Sequence, residues 1–209
     1  MTKLYYSAGA CSMSCEIAFE EMGIAHEAIL LDWEKNDAHM SELHRLNPLG
    51  AAPVVVTESG QTLTQNSAVL EYFADLKKQT QMLPAPGTIE RAHVLQWLSF
   101  AATDFHKSFV PLFALQGISE NPTTREEVRN WAVKGVQENL AYLDKALAGK
   151  EFITGSQFTV ADCYLFVVAG WTKFVQIPLD PYKNVAAYVS RVYQRPSVQK
   201  TLKKAGILS

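Results

Sequence analysis

The first thirty residues constrain the fold more than any other stretch, because the apolar period changes twice within them. Lys3-Leu4-Tyr5-Tyr6 is a short β-prone run, and Ser7-Ala8-Gly9-Ala10 after it is turn-like. From Ser12 onward, Cys15, Ala18, Phe19 and Met22 fall at i, i+3, i+4 and i+7, one face of a helix, and Gly23 stands where that helix would end. His26 to Leu31 returns to strand composition. Strand, helix and strand in so short a span make a βαβ unit, whose strands lie parallel through a right-handed crossover.

A polar, helix-compatible stretch follows around His39 to Leu46, closed by Asn47-Pro48-Leu49-Gly50. Pro53 then opens the β-branched run Val54-Val55-Val56, and a turn through Glu58-Ser59-Gly60-Gln61 leads to Thr62-Leu63-Thr64, which reads as a hairpin. Proline has no ladder donor, so Pro53 belongs at the first residue of its strand. Asn66 or Ser67 can cap a helix carrying Val69, Leu70, Phe73 and Leu76. The order β-α-β-α-β-β-α over residues 1–80 predicts a small mixed sheet with helices on it. Leu83-Pro84-Ala85-Pro86-Gly87 stops both helix and strand and marks a linker at 81–88. Residues 89–209 read as helix almost throughout, so the fold class is an α/β domain followed by an all-α domain.

Within the helical part, Thr88 can cap a helix running to about Phe109, which Pro111 limits or kinks. Thr123 and Thr124 precede another, with Val136, Leu140, Leu143 and Leu147 as its apolar stripe and Gly149 at its end. Thr159-Val160-Ala161-Asp162 is a capping box, and Tyr164-Leu165-Phe166-Val167-Val168 is apolar on all sides, the mark of a buried central helix.

The 19 basic and 21 acidic residues leave a net charge of −2 with no Lys/Arg block, which argues against a nucleic-acid partner. The longest apolar stretch, Cys163 to Trp171, falls well short of the ~20 residues a membrane span needs. The N-terminus reaches Gly9 without the apolar core of a secretory signal. Three cysteines are too few for a disulfide framework. A cytoplasmic, globular protein is the expectation.

Cys11 is the sharpest chemical candidate. It lies between the turn at Gly9 and the helix predicted from Ser12, where free backbone N–H groups and the helix dipole favour a thiolate. The same residue also reads as a small buried hydrophobe. Cys15 and Cys163 read as core. Ser12 can donate to a ligand sulfur or simply cap its helix, and Tyr5 and Tyr6 point to opposite strand faces, so only one can face a site. If the Ala52–Pro53 bond is cis, Ala52 presents its amide and carbonyl to an extended peptide; trans is the default. Gln65-Asn66-Ser67 at a helix start suits a ligand carboxylate or forms a plain N-cap cluster. His106 can reach a cleft between the halves or sit on the surface. His26, His39, His44 and His93 show no metal-ligand spacing with any cysteine, so no zinc site is expected.

Gly9-Ala10-Cys11-Ser12, Asn47-Pro48-Leu49-Gly50 leading to Pro53, Leu63-Thr64-Gln65-Asn66, Trp97-Leu98, His106-Lys107 and Phe158-Thr159-Val160-Ala161-Asp162 together resemble the cytosolic glutathione S-transferases, most closely the bacterial beta class. The resemblance spans essentially the whole chain. It implies a thioredoxin-like N-terminal domain, an all-helical C-terminal domain, a homodimer, and a glutathione site in each cleft. Residue by residue, it implies Cys11 and His106 at the glutathione sulfur, with Tyr5 and Ser12 as possible neighbours. It implies Ala52 and the cis-proline Pro53 along the cysteinyl part, Gln65 and Asn66 at the γ-glutamyl group, and Lys35, a weaker match, near the glycine carboxylate. A small apolar electrophile would sit against Phe105, Phe109 and Phe113, residues that read equally as helix core. Ala51, Ala52, Gln65 and Ser99 depart from the commoner residues of the family, which removes polar or charged side chains from the site. Two other activities fit the same resemblance: thiol–disulfide exchange through a Cys11 mixed disulfide, and ligand binding without catalysis.

Overall fold

Alternation along the first strand sets the two layers of the sheet. The computed structural model describes residues 1–35 and 37–208. Strand β1 (Thr2–Ser7) pairs in parallel with β2 (His26–Leu31) and antiparallel with β3 (Val54–Val56), which pairs antiparallel with β4 (Thr62–Thr64). The strand order is β2-β1-β3-β4. Successive side chains face opposite sides of a strand. Leu4 and Tyr6 therefore join Val55 in the main core, while Tyr5 joins Ile29, Leu31 and Val54 in a smaller one.

Helices α1 (Met13–Glu21) and α3 (Asn66–Leu76) supply Ile17, Phe19, Val69, Leu70 and Phe73 to the main core. Helix α2 (Ala38–Leu46), capped by the Asp37 carboxylate, covers the other face with Met40 and Leu43. The parallel crossover, the hairpin and the helix after it appear as the periodicity predicts. The packing of α1 goes further than its stripe: Ser14, Glu16 and Ile17 are buried as well, because helices from the second half close over its outer side.

That second half begins with α4 (Ile89–Phe100), capped by Thr88. The break expected at Pro111 comes earlier. Residues Ala101–Phe105 form a π-helical turn, and α5 (His106–Phe113) then continues with Pro111 inside it. A π turn holds more residues than an α turn and rotates the face that follows; here the residue that follows is His106. A short helix α6 (Leu115–Ile118) leads to α7 (Pro122–Leu147), whose cap is Asn121 with Pro122 in the first turn, not Thr123 or Thr124. Its Val136, Leu140, Leu143 and Leu147 are buried as expected. Helix α8 (Val160–Phe174) is buried along nearly its whole length; α9 (Lys183–Tyr193) packs against it, and α10 (Pro196–Lys204) packs on α1 and α9.

Three polar devices fix the assembly. The capping box of α8 is formed, and Asp162 within it is fully buried. Arg91 on α4 binds both oxygens of Asp75 at 2.8 Å and Glu71 at 2.7 Å, tying α4 to α3. Its third contact is the Pro84 carbonyl at 3.0 Å. The stretch between these helices is also packed: Met82 and Leu83 are buried, and the Met82 carbonyl accepts from Val160 N–H. Finally, the buried Glu16 of α1 meets His26 at 2.6 Å and Lys204 of α10 at 2.8 Å. Both ring nitrogens of His26 face oxygen acceptors, Glu16 and the Ile24 carbonyl. Burial works against charge there, but these acceptors overcome it and hold the His26 pKa above its ordinary value.

Candidate functional site

Three segments of the sheet-bearing half converge on Cys11: the loop after β1, the loop before β3, and the start of α3. The Ala52–Pro53 peptide bond is cis, and Ala52 O lies 4.0 Å from Cys11 Sγ. From the helical half, α5 brings His106 and α8 brings Tyr164 and Trp171. Two cavities meet at Cys11 and His106. One, of about 510 Å³, has a mixed polar and apolar wall that includes Trp33, Ala52, Gln65, Asn66, Ser67 and Tyr164. The other, of about 370 Å³, is walled by Gly9, Phe113, Trp171 and Phe174. Volumes of this size suit small molecules or parts of them.

Glycine is required at two turns of this site. Gly9 holds φ at +71°, which aims its carbonyl at Trp171 Nε1, 2.7 Å away. Gly50 holds φ at +59°, and a Cβ there would come within 2.6 Å of the His44 ring. At both positions any other residue would be strained by the left-handed backbone.

The side chain of Asn66 binds the site together. Its Nδ2 donates to Cys11 O at 3.0 Å, and its Oδ1 accepts from Cys15 Sγ at 3.1 Å. The Asn66 side chain thus makes two contacts within the protein, and α3 also offers the cavity its N-terminal backbone. The first N–H groups of a helix have no intrahelical partner and carry the positive end of its dipole, a natural seat for a carboxylate.

The thiol of Cys11 does not follow the expectation from its position. Burial pushes its pKa up, outweighing the help that Asn66, Tyr164 and the amides of Ser12 and Cys11 would give a thiolate. The N–H groups of Met13, Ser14 and Cys15 are taken by the carbonyls of Ala10, Cys11 and Ser12. The helix terminus thus gives the sulfur less than its sequence position implies, and the thiol form prevails at neutral pH. His106 is likewise uncharged. Burial, with Lys107 adding to it, lowers its pKa to about 4. Its Nδ1 is 2.8 Å from the Tyr164 hydroxyl, and its ring meets Trp171 edge to face at 4.7 Å.

Family models for the glutathione S-transferase N-terminal and C-terminal domains match residues 8–76 and 119–191. The chain is 32% identical over 206 residues to glutathione S-transferase GstA of Escherichia coli O157:H7, covering 98% of this chain and 99% of that one. Among solved structures it is similar to a sphingomonad glutathione S-transferase complexed with glutathione, with 40% identity, a TM-score of 0.87, and 98% and 99% of the two chains covered. A bacterial beta-class glutathione S-transferase of Sphingomonas chungbukensis gives 40% identity and a TM-score of 0.88, covering 99% and 100%. This chain belongs to the glutathione S-transferase family. Its fold is the thioredoxin-like domain followed by helices, its neighbours are bacterial beta-class enzymes, and its activity is glutathione transfer with glutathione as co-substrate.

In this transferase the fold brings Cys11, Ala52, Pro53, Gln65, Asn66 and His106 to one cavity. Four expected positions lie elsewhere. Tyr5 is buried in the smaller core on the far face of the sheet. Ser12 is buried too, and its Oγ accepts from Ser7 N–H at 3.0 Å, so it neither caps α1 nor faces a ligand. Phe105 and Phe109 belong to the main core; of the three phenylalanines only Phe113 is exposed to a cavity. A fifth, Lys35, is exposed on the surface and paired with Asp32 at 2.9 Å, outside the cavity wall.

Trp33, Tyr164, Trp171 and Phe174 line the cavities, and the sequence did not single them out as site residues. Tyr164 and Trp171 lie seven apart on α8 and so share a face, but a helix apolar on all sides hides which face that is. A carboxylate–histidine cluster also escaped the cysteine spacing. Glu16, Glu20 and His26 bring donor atoms within 4.8 Å of one another. Lys204 already bridges the two carboxylates and Lys200 pairs with Glu20, so the cluster is an ion network joining α1, β2 and α10.

Proposed function

We propose that this transferase conjugates the glutathione thiol to small apolar electrophiles, with the sulfur seated between Cys11 and His106. The observation that carries this reading is the meeting of two unlike cavities at that pair. The larger and more polar one offers an extended peptide the backbone of Ala52 and the N-terminus of α3 for a carboxylate. The aromatic one offers Phe113, Trp171 and Phe174 to an apolar acceptor.

The reaction needs a thiolate, since a thiolate attacks far better than a thiol. The glutathione thiol loses its proton to solvent on binding. Its sulfur then bonds to the electrophilic carbon, and the leaving group departs with the bonding pair. Donors around the sulfur favour the thiolate and lower the barrier. Cys11, itself protonated, is a contact of the sulfur rather than its attacker. Thiol–disulfide exchange through Cys11 is correspondingly the lesser activity at neutral pH.

The test is the steady-state rate of glutathione conjugation to a small aryl halide, in the wild type and in Cys11→Ala. A rate that saturates in glutathione and survives in the variant within about tenfold is the expected result, since tenfold is only about 1.4 kcal/mol of transition-state stabilisation. No rate at saturating glutathione would overturn conjugation with that class of electrophile.

We also read the chain as a cytoplasmic homodimer. Its free cysteines, Cys11, Cys15 and Cys163, suit a reducing compartment, and the dimer follows from the resemblance to the family. Among the described residues, no helix is long and apolar enough to cross a membrane. Co-fractionation with cytosolic markers and sedimentation at twice the chain mass of 23.2 kDa are expected; a secreted protein or a stable monomer would sink the respective half.

A further inference from the structure

The hydrogen-bond roles around His106 can be assigned by counting donors and acceptors. His106 is neutral, so one ring nitrogen carries a proton and the other accepts. Nδ1 faces the Tyr164 hydroxyl at 2.8 Å. That hydroxyl has a single proton, and burial keeps it a phenol by raising its pKa far above the ordinary value. The neighbouring thiol proton of Cys11 is directed to Ala52 O. A thiol sulfur is a weak acceptor beside an imidazole nitrogen, so the Tyr164 hydroxyl, 2.8 Å from His106 Nδ1, gives its proton to that nitrogen.

We propose that Tyr164 is a positioning residue of the thiol site: its hydroxyl donates to His106 Nδ1 and fixes the imidazole as the Nε2–H tautomer, leaving Nε2–H as the ring's donor for a thiolate sulfur. The thiolate part of this inference rests on the conjugation reading above; the tautomer does not. No proton passes through the ring. A neutral N–H donor on a half-buried ring packed against Trp171 stabilises negative charge on sulfur without itself ionising. The edge-to-face contact of Trp171 and the hydrogen bond from Tyr164 leave the ring little freedom to turn, so the donor is preorganised. Asn66 braces the Cys11 loop beside this pair through Cys11 O.

Nitrogen-15 NMR of the His106 ring in the unliganded protein tests the tautomer without relying on activity. The expected spectrum shows a protonated Nε2 and an unprotonated Nδ1 from pH 6 to 8, and in Tyr164→Phe a mixture of the two tautomers. In conjugation assays Tyr164→Phe should lower kcat about tenfold, leave the KM for glutathione within about twofold, and move the titration of the bound glutathione thiol to higher pH. A loss of packing alone would raise KM or lower stability and leave that titration in place. A wild-type ring protonated at Nδ1 overturns the proposal, and this measurement stands even if the variant does not fold. A Tyr164→Phe protein with an unchanged tautomer and an unchanged thiol titration overturns it equally.

Discussion

Asp162→Ala is expected to cost about 4 kcal/mol of folding stability, a large share of the ~5–15 kcal/mol that a domain has. The carboxylate is fully buried and accepts four hydrogen bonds: from Ile153 N–H at 3.0 Å, Thr159 N–H at 2.9 Å, the Thr159 hydroxyl at 2.9 Å and the Tyr188 hydroxyl at 3.1 Å. Alanine would leave all four donors in the protein interior without this acceptor, and an unsatisfied buried donor costs about 1–3 kcal/mol before relaxation. The loss also removes the cap of α8, the helix that carries Tyr164 and Trp171 into the site. For a chain of this size about 4 kcal/mol corresponds to a fall in melting temperature of roughly 8–16 °C. Asp162→Asn should rescue little, because its NH2 would face donors instead of accepting from them. A melting temperature for Asp162→Ala within about 2 °C of the wild type would remove the capping box from the list of what holds this fold together.

Alkylation of Cys11 by iodoacetamide should accelerate about tenfold per pH unit across the neutral range and keep rising beyond the point, near pH 8.5, where an ordinary cysteine levels off. The thiolate is the reacting species, and burial raises the Cys11 pKa, so its thiolate fraction at pH 7 is smaller than that of a free cysteine. Cys15 and Cys163 are fully buried, which leaves Cys11 as the partly exposed cysteine that reports. Cys11→Ser should abolish the fast phase. Mixed-disulfide formation with oxidised glutathione should show the same climb with pH, since it uses the same thiolate. A rate that flattens below pH 7 would mean that the helix terminus dominates after all, and it would move thiol–disulfide exchange ahead of conjugation.

Cys11 shows well where local reading runs out. Its place after a strand and before a helix is visible in the chain, and so is the dipole that ought to lower its pKa. Burial of the thiol reverses the sign, and it outweighs two donors, Tyr164 and Asn66, that are 153 and 55 residues away in sequence. The phenylalanines tell the same story. Phe105, Phe109 and Phe113 share one helical spacing, and only the π-helical turn before His106 and the packing of α5 on α7 and α8 decide that two are core and one is cavity wall. Lys35 carries a basic group in the right region of the chain, yet Asp32 three residues earlier holds it on the surface.

Short-range information was enough for the elements themselves. The βαβ opening, the hairpin after Pro53, the capping box and the buried α8 depend on periodicity, turn residues and neighbours three or four positions apart, all of which the sequence displays directly. The resemblance to the transferase family also lies in local motifs, and the family models matched it. What the tertiary structure alone decided is the chemistry at the sulfur: which nitrogen of His106 is engaged, that Cys11 is a thiol, and that the Asn66 side chain braces the Cys11 loop. Those properties depend on desolvation and on hydrogen bonds between groups far apart in the chain, and neither exists until the two halves have closed on each other.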